Sequence, residues 1–189
     1  MGRVDQAAIS GCAYFPAFLG SAELGQLQGL PGELHFKRAK KRVGRVCQEA
    51  DIYSVALDRF PDPNPVHRLS QCLSAAASDS PLAPWRPNEV TWMRYRGPGE
   101  GISAHRDRRR YLGLIAVFSL SGLARFEVLP SRQARRASHT YICRSGDLIL
   151  MRGADPDDNE EKRPFHRVRS LGCNERISLT LRMDSLLEF

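Results

Sequence analysis

The run Gly101-Ile-Ser-Ala-His-Arg-Asp107 sets an imidazole and a carboxylate two residues apart at the end of a segment that alternates like a β-strand. Side chains at i and i+2 of a strand leave the same face, so His105 and Asp107 can converge on one ion. With a second, distant histidine they would make a two-histidine, one-carboxylate facial triad, which leaves positions on non-haem Fe(II) open for a co-substrate and oxygen. The spacing alone is a weak sign: five His and eleven Asp in 189 residues give roughly 0.3 His-x-Asp matches by chance. His-Arg-Asp also has the form of a kinase catalytic loop, but Leu112 stands where the Asn is required and no Asp-Phe-Gly follows, so that chemistry is excluded.

Two features downstream add to the pair. Arg163-Pro-Phe-His166-Arg-Val offers a histidine in a short strand pattern. Ten residues later, Arg176-Ile-Ser-Leu-Thr-Leu-Arg182 alternates, with Arg176, Ser178, Thr180 and Arg182 on one face and Ile177, Leu179 and Leu181 on the other. Guanidinium groups directed into a barrel are costly unless each meets an anion. Arg176 offers a planar fork matched to a carboxylate, and Ser178 a hydroxyl beside it. The same alternation also fits the outward polar side of an antiparallel strand.

The elements that must position these residues read as a run of strands. Their predicted spans are 90–95, 112–120, 124–129, 140–143, 148–152, 165–168 and 177–183, punctuated by Gly97-Pro98-Gly99, Ser121-Gly122, Ser145-Gly146-Asp147 and Gly172. Short strands at this spacing, with no helices between them, predict a sandwich or barrel. Upstream, Ser21 is placed to cap a helix running to about Leu30, stopped by Pro31-Gly32. Asn64-Pro65 opens a second helix, ending near Ser78, with Val66, Leu69, Leu73 and Ala76 on one face. Segments 34–36 and 53–57 read as strands flanking the basic stretch 37–45, a hairpin or exposed lid. Residues 81–88 are a proline-rich loop entering the core sheet, and 155–161 an acidic solvated loop. Trp85 and Trp92 read as core anchors; His35, His67 and His139 lack a partner pattern and read as structural.

Length bounds the answer to one domain with a proper core. No apolar run approaches the roughly 18 residues of a membrane span, and no basic-then-apolar leader opens the chain, so a soluble cytoplasmic protein with no membrane partner is expected. Cys12, Cys47, Cys72, Cys143 and Cys173 form no C-x-x-C pair, which fits reduced thiols better than a zinc knuckle or a disulfide framework. A net charge of +7 invites a polyanion such as nucleic acid, or reflects a solvated basic surface.

Taken together, His105-x-Asp107, His166 and Arg176-x-Ser178 resemble the signature of the Fe(II)- and 2-oxoglutarate-dependent oxygenases. The stretch from Asn88 to Arg182 is similar more specifically to the AlkB-like branch: Arg94-Tyr95 before a Pro-Gly turn, the His-x-Asp pair, a hydrophobic strand, a Gly-Asp turn, the distal His, then Arg with a second Arg six residues on. The resemblance implies a mainly β fold, a double-stranded β-helix (jelly-roll) core over 88–185. Residues 1–87 would supply helices packed outside it and a possible substrate lid. It implies His105, Asp107 and His166 as catalytic iron ligands. Arg176 and Ser178 would take the distal carboxylate of 2-oxoglutarate, Tyr95 would hydrogen-bond this co-substrate, and Arg182 would lie near the iron. Molecular oxygen is the other implied co-substrate. Met93 and Arg109 fall at implied substrate-facing positions, and they depart from the family, which has Asn in many members at the first and an acidic residue in AlkB itself at the second. Ser178 likewise stands where many members have Asn. Tyr53 and Phe60 are candidates for the aromatic residue that would stack on a base. The implied reaction is oxidative demethylation of alkylated nucleic acid; the alternative is hydroxylation of a small metabolite at the same centre.

Overall fold

Period-two alternation dominates the chain after residue 88, and the computed structural model, which describes residues 3–60, 64–156, 161–172 and 174–187, turns it into two facing antiparallel sheets. In chain order the elements are α1 (Arg3–Ser10), β1 (Cys12–Phe15), α2 (Ser21–Gly29), β2 (Lys37–Arg38), β3 (Arg42–Val43), β4 (Val46–Cys47), β5 (Asp51–Ala56) and α3 (Pro65–Ala77). They continue with β6 (Glu89–Tyr95), β7 (Gly101–His105), β8 (Tyr111–Ser121), β9 (Ala124–Leu129), β10 (His139–Cys143), β11 (Leu148–Arg152), β12 (Phe165–Ser170) and β13 (Arg176–Asp184).

The major sheet has the order β1-β11-β8-β13-β6-β5-β2 and the minor sheet β10-β9-β12-β7. Strands β6 to β13 thus divide four to each sheet, the double-stranded β-helix expected for the core, with β1, β5 and β2 extending the major sheet. One apolar cluster, including Trp85, Trp92, Phe118, Leu179 and Leu181, joins the major sheet to the helices; a second, including Met93, Tyr95, Phe126, Ile149 and Met151, fills the space between the sheets. The near-continuous apolar run of β8 follows from this, because a strand covered on both faces has no polar side to present. Trp85 and Trp92 are buried core anchors, as expected.

Several local expectations shift. The cap of α2 is Gly20, with Ser21 the first helical residue and no side-chain cap bond. Asn64 does cap α3, its side chain accepting from the Val66 N–H, but the buried stripe runs Val66, Leu69, Ser70, Leu73 and Ala77; Ala76 is exposed. Eleven residues are close to three full turns, so Ala77 lies over Val66 and Ala76 falls about 80° off the stripe. Residues 34–36 form no strand; the strand is the charged pair Lys37–Arg38, hydrogen-bonded to β5. The 53–57 strand begins earlier, at Asp51, and its last residue opens a 3-10 turn. Helix α1 and strand β1 were not foreseen. The basic stretch does form a hairpin, β3–β4, seated on β7 by Cys47 N–H to Ser103 Oγ (2.9 Å) and Glu49 N–H to Gly101 O (2.8 Å). Most of the acidic loop, 157–160, and Cys173 lie outside the described residues.

Candidate active site

Strands β7 and β12 are neighbours in the minor sheet, in a register that sets His105 directly opposite His166; their ring centroids are 4.2 Å apart. Asp107 was expected to share the strand face of His105, but β7 ends at His105 and Asp107 stands two residues beyond, in the following loop. The loop delivers it to the same place: its Oδ2 lies 3.8 Å from His166 Nε2, and one donor atom from each of the three residues falls within 4.8 Å of the others. Donors about 2.1 Å from a shared ion lie about 3–4 Å apart, so small side-chain rotations close this cluster on a metal. Arg163 donates to the Asp107 carbonyl oxygen and pairs with Glu161, which fixes the loop from below.

The imidazoles are set for coordination. His105 Nδ1 is 2.8 Å from Ser103 O and His166 Nδ1 is 3.3 Å from Pro164 O. A carbonyl can only accept, so the ring protons sit on Nδ1 and both Nε2 lone pairs are free for an ion. Burial, then the neighbouring His105, push His166 down to about 4, so it is neutral at pH 7; its ring stacks on Phe126 at 5.3 Å. Burial pushes the Asp107 carboxyl up, but Arg182, the two histidines and Arg163 outweigh it and hold the group below its ordinary value. Two imidazole nitrogens and one carboxylate are the donor set a ferrous ion takes with positions left open.

On the facing sheet, β13 turns Leu179 and Leu181 toward the helices and Arg176, Ser178, Thr180 and Arg182 into the cavity. The polar side of this strand therefore points inward. Arg176 is 2% exposed, lies over the Tyr95 ring at 4.8 Å, and has no hydrogen-bond partner for Nε or Nη1. Burial raises the Tyr95 phenol above its usual value against the pull of Arg176. The turn after β8 holds this arginine in place: Gly122 has φ +73°, and a Cβ there would meet Arg176 Cα at 2.8 Å. Arg182 is placed differently, its Nη1 2.9 Å from Glu89 Oε1 and 3.1 Å from Thr91 Oγ1, with Nη2 4.0 Å from Asp107 Oδ1.

The structure therefore gathers His105, Asp107, His166, Arg176, Ser178, Tyr95, Arg182 and Met93 around one small cavity. Arg109 is not among its walls: the side chain is exposed and pairs with Glu161 at 3.3 Å. Tyr53 and Phe60 are also elsewhere, packed on Trp92 on the helix side of the major sheet, which removes them as base-stacking candidates. Sequence reasoning missed Glu89, Thr91, Phe126 and Arg163. For Glu89 a signal existed, since it is an even number of residues before Tyr95 and so on the same strand face.

No protein-family model matches the chain, and no curated protein matches it in sequence. Solved structures do match in fold. A prolyl hydroxylase from Trichoplax adhaerens, in complex with a hypoxia inducible factor peptide fragment, aligns with a TM-score of 0.68 at 17% identity over 97% of this chain and 88% of that one. A Pseudomonas putida prolyl-4-hydroxylase aligns at 0.67 and 15%, covering 96% and 97%. The structure of OsALKBH1 aligns at 0.67 and 16%, covering 91% and 97%. At these identities the likeness establishes the fold.

Proposed function

We propose that this chain is an Fe(II)- and 2-oxoglutarate-dependent oxygenase of the AlkB-like branch that demethylates alkylated nucleic acid. The observation that carries the chemistry is one cavity holding both a three-donor cluster and a buried arginine with two unpartnered N–H groups. The residues fit both groups: imidazole Nε2 atoms and an ionised carboxylate suit the metal, and the Arg176 donors suit an anion, since unpaired buried donors are costly. OsALKBH1 and the prolyl hydroxylases share the fold that sets these groups at one mouth.

In this reading His105, Asp107 and His166 hold the iron. Arg176 takes the distal carboxylate of 2-oxoglutarate, helped by the hydroxyls of Ser178 and Tyr95, and Met93, Val117, Phe126 and Met151 keep water from the cavity. When bound, iron with 2-oxoglutarate and molecular oxygen supplies the oxidation, giving succinate and carbon dioxide and converting a substrate C–H to C–OH. On an N-methyl group the product is a hemiaminal that releases formaldehyde.

The cavity offers only about 50 Å³ of free space, well below the roughly 300–1,000 Å³ common for ligand pockets, so the primary substrate must present itself at the mouth. Beside the triad, though not among the residues that line the cavity, stand two cations: Arg106 and Arg132 lie over the Phe165 ring at 4.0 and 5.5 Å, and Arg132 donates to Ala104 O, next to His105. A phosphate backbone held by these arginines would leave a flipped base facing the metal, and the basic segment 37–45, which runs into the β3–β4 hairpin, is the candidate lid. Hydroxylation of a small metabolite is the second reading, favoured by apolar Met93 in the wall and by Arg109 lying away from it. A reduced cytoplasmic setting fits the free thiols of Cys12, Cys47, Cys72 and Cys143.

The test is succinate formation from 2-oxoglutarate with Fe(II), stimulated by methylated oligonucleotides or by a metabolite extract. His105→Ala and Asp107→Ala are expected to abolish turnover; undiminished turnover in either rejects the triad. Stimulation by metabolites with none by any alkylated oligonucleotide rejects the nucleic-acid substrate. So does oligonucleotide affinity that does not weaken as salt rises.

A further inference from the structure

The two inward arginines of β13 are cross-strand neighbours of two very different residues on β6: Arg176 faces Tyr95 and Arg182 faces Glu89. That register separates their roles. Arg176 meets an aromatic face, keeps Nε and Nη1 unpartnered and, among the described residues, pairs with no carboxylate. Arg182 is already neutralised: Glu89 Oε1 is 2.9 Å from its Nη1, and Thr91 Oγ1, itself 3.2 Å from the same Glu89 oxygen, takes a second contact at 3.1 Å. Glu89 is buried and held in turn by Arg110, 3.6 Å from Oε2, which also pairs with buried Asp184 at 3.2 Å. The far side of Arg182 reaches toward Asp107, and stops 4.0 Å from Oδ1. Carboxylates and guanidiniums therefore alternate from Asp184 through Arg110, Glu89 and Arg182 to Asp107.

We propose that Glu89 is a positioning residue of the metal centre: it holds Arg182 at the outer limit of an ion pair with Asp107 and back from hydrogen-bonded contact, leaving that carboxylate free to bind a cation. The inference rests on the oxygenase reading of the cavity. Its sign follows from two effects that agree. Without the Glu89 charge, Arg182 closes the remaining distance to Asp107 and competes with the metal for the carboxylate. The local charge over Glu89, Arg182 and Asp107 also rises from −1 to zero, which disfavours any cation. Both effects leave Arg176 untouched, and the uncompensated positive charge of Arg182 does not oppose an anionic co-substrate.

The experiment is calorimetric titration of untagged protein with Co(II), then with 2-oxoglutarate at saturating Co(II), for wild type, Glu89→Gln and Thr91→Val. Supporting residues around a metal site typically change affinity about 10–100-fold. Glu89→Gln is expected to weaken Co(II) binding at least tenfold while 2-oxoglutarate binds no more weakly than in wild type. Thr91→Val, which removes one of the two contacts that hold Arg182, is expected to weaken Co(II) binding about twofold to fivefold, and it carries the test if Glu89→Gln fails to fold. Loss of both affinities together would mark a collapsed barrel and overturn the positioning role. So would a Co(II) affinity equal to wild type in folded Glu89→Gln, or in Thr91→Val, with the oxygenase reading intact. Wild-type protein that binds no Co(II), and whose His105→Ala variant behaves identically, overturns the oxygenase reading itself.

Discussion

Arg176 can be tested through stability and binding at once, with opposite signs. Its guanidinium is 2% exposed with Nε and Nη1 unpartnered. Each buried donor without a partner costs about 1–3 kcal/mol, so two cost about 2–6 kcal/mol together. Against this, desolvated contact with the Tyr95 face stabilises by about 2 kcal/mol. Arg176→Met keeps the stem and deletes the charge. It should therefore stabilise the ligand-free protein by about 1–2 kcal/mol, roughly 4 °C in Tm at this size. Two charge-assisted bonds to a carboxylate contribute about 3 kcal/mol or more, so 2-oxoglutarate should bind the variant at least about 100-fold more weakly. Thermal melts with and without 2-oxoglutarate, at saturating Co(II), read both effects. Wild type should gain about 2.7 kcal/mol at a ligand concentration of 100 Kd, and the variant about 0.4 kcal/mol or less at the same concentration. A variant that melts below wild type and still responds fully to 2-oxoglutarate would show that Arg176 has its counter-charge within the protein, and the anion site would be refuted.

Two further perturbations follow. Gly122→Ala places a Cβ 2.8 Å from Arg176 Cα at φ +73°; it should destabilise by about 2 kcal/mol and raise the KM for 2-oxoglutarate more than it changes Co(II) affinity, and equal changes in both would refute the Gly122–Arg176 link. Asp51 concerns pH: burial raises its carboxyl pKa, but Arg96, Arg94 and Arg38 outweigh this and leave it below the ordinary value. Ionised Asp51 therefore stabilises the fold at neutral pH, and that contribution fades as pH falls from the unfolded value of about 3.9 toward the lower folded one. Breaking a buried pair costs about 3–5 kcal/mol, reduced here to about 2 because Arg38 and Arg96 are half-exposed or more. Asp51→Asn should thus lose about 2 kcal/mol in urea melts at pH 7, with the gap to wild type closing at acid pH; a gap that widens on acidification would contradict the assignment.

How much of this was legible in sequence depended on whether local pattern or long-range pairing decided the outcome. Strands β9 and β11 fall at the predicted residues because breakers bound each apolar run, Gly122 and Pro130 for the first and Gly146-Asp147 and Gly153 for the second. The α3 cap was readable because Asn before Pro has one main use at a helix start. Lys37–Arg38 was not, since nothing local makes two cations a strand; they pair there because Ile52 and Asp51 lie opposite, and Arg38 reaches the Asp51 carboxylate at 3.4 Å. Helix α1, rich in alanine, has too short an apolar pattern to announce itself. Asp107 reaches His105 and His166 by another route than alternation implies, because the loop after β7, tied by Arg163, does what a strand was expected to do.

The arginines of β13 show where such reading stops. Alternation alone puts Arg176 and Arg182 on one face and treats them as equivalent, six residues apart on a strand that also carries Ser178 and Thr180. What distinguishes them is the register with β6, a long-range fact: Tyr95 opposite the first leaves it short of an anion, and Glu89 opposite the second gives it a counter-charge, although its Nε too is without a hydrogen-bond partner. A slip of one residue would turn the inward faces out, and a slip of two would set Arg176 against Met93 or move Arg182 off Glu89. Either would leave the barrel with a buried charge at the wrong end. The strand pairing that closes the core is thus also what leaves one guanidinium open to an anion and ties the other to the protein.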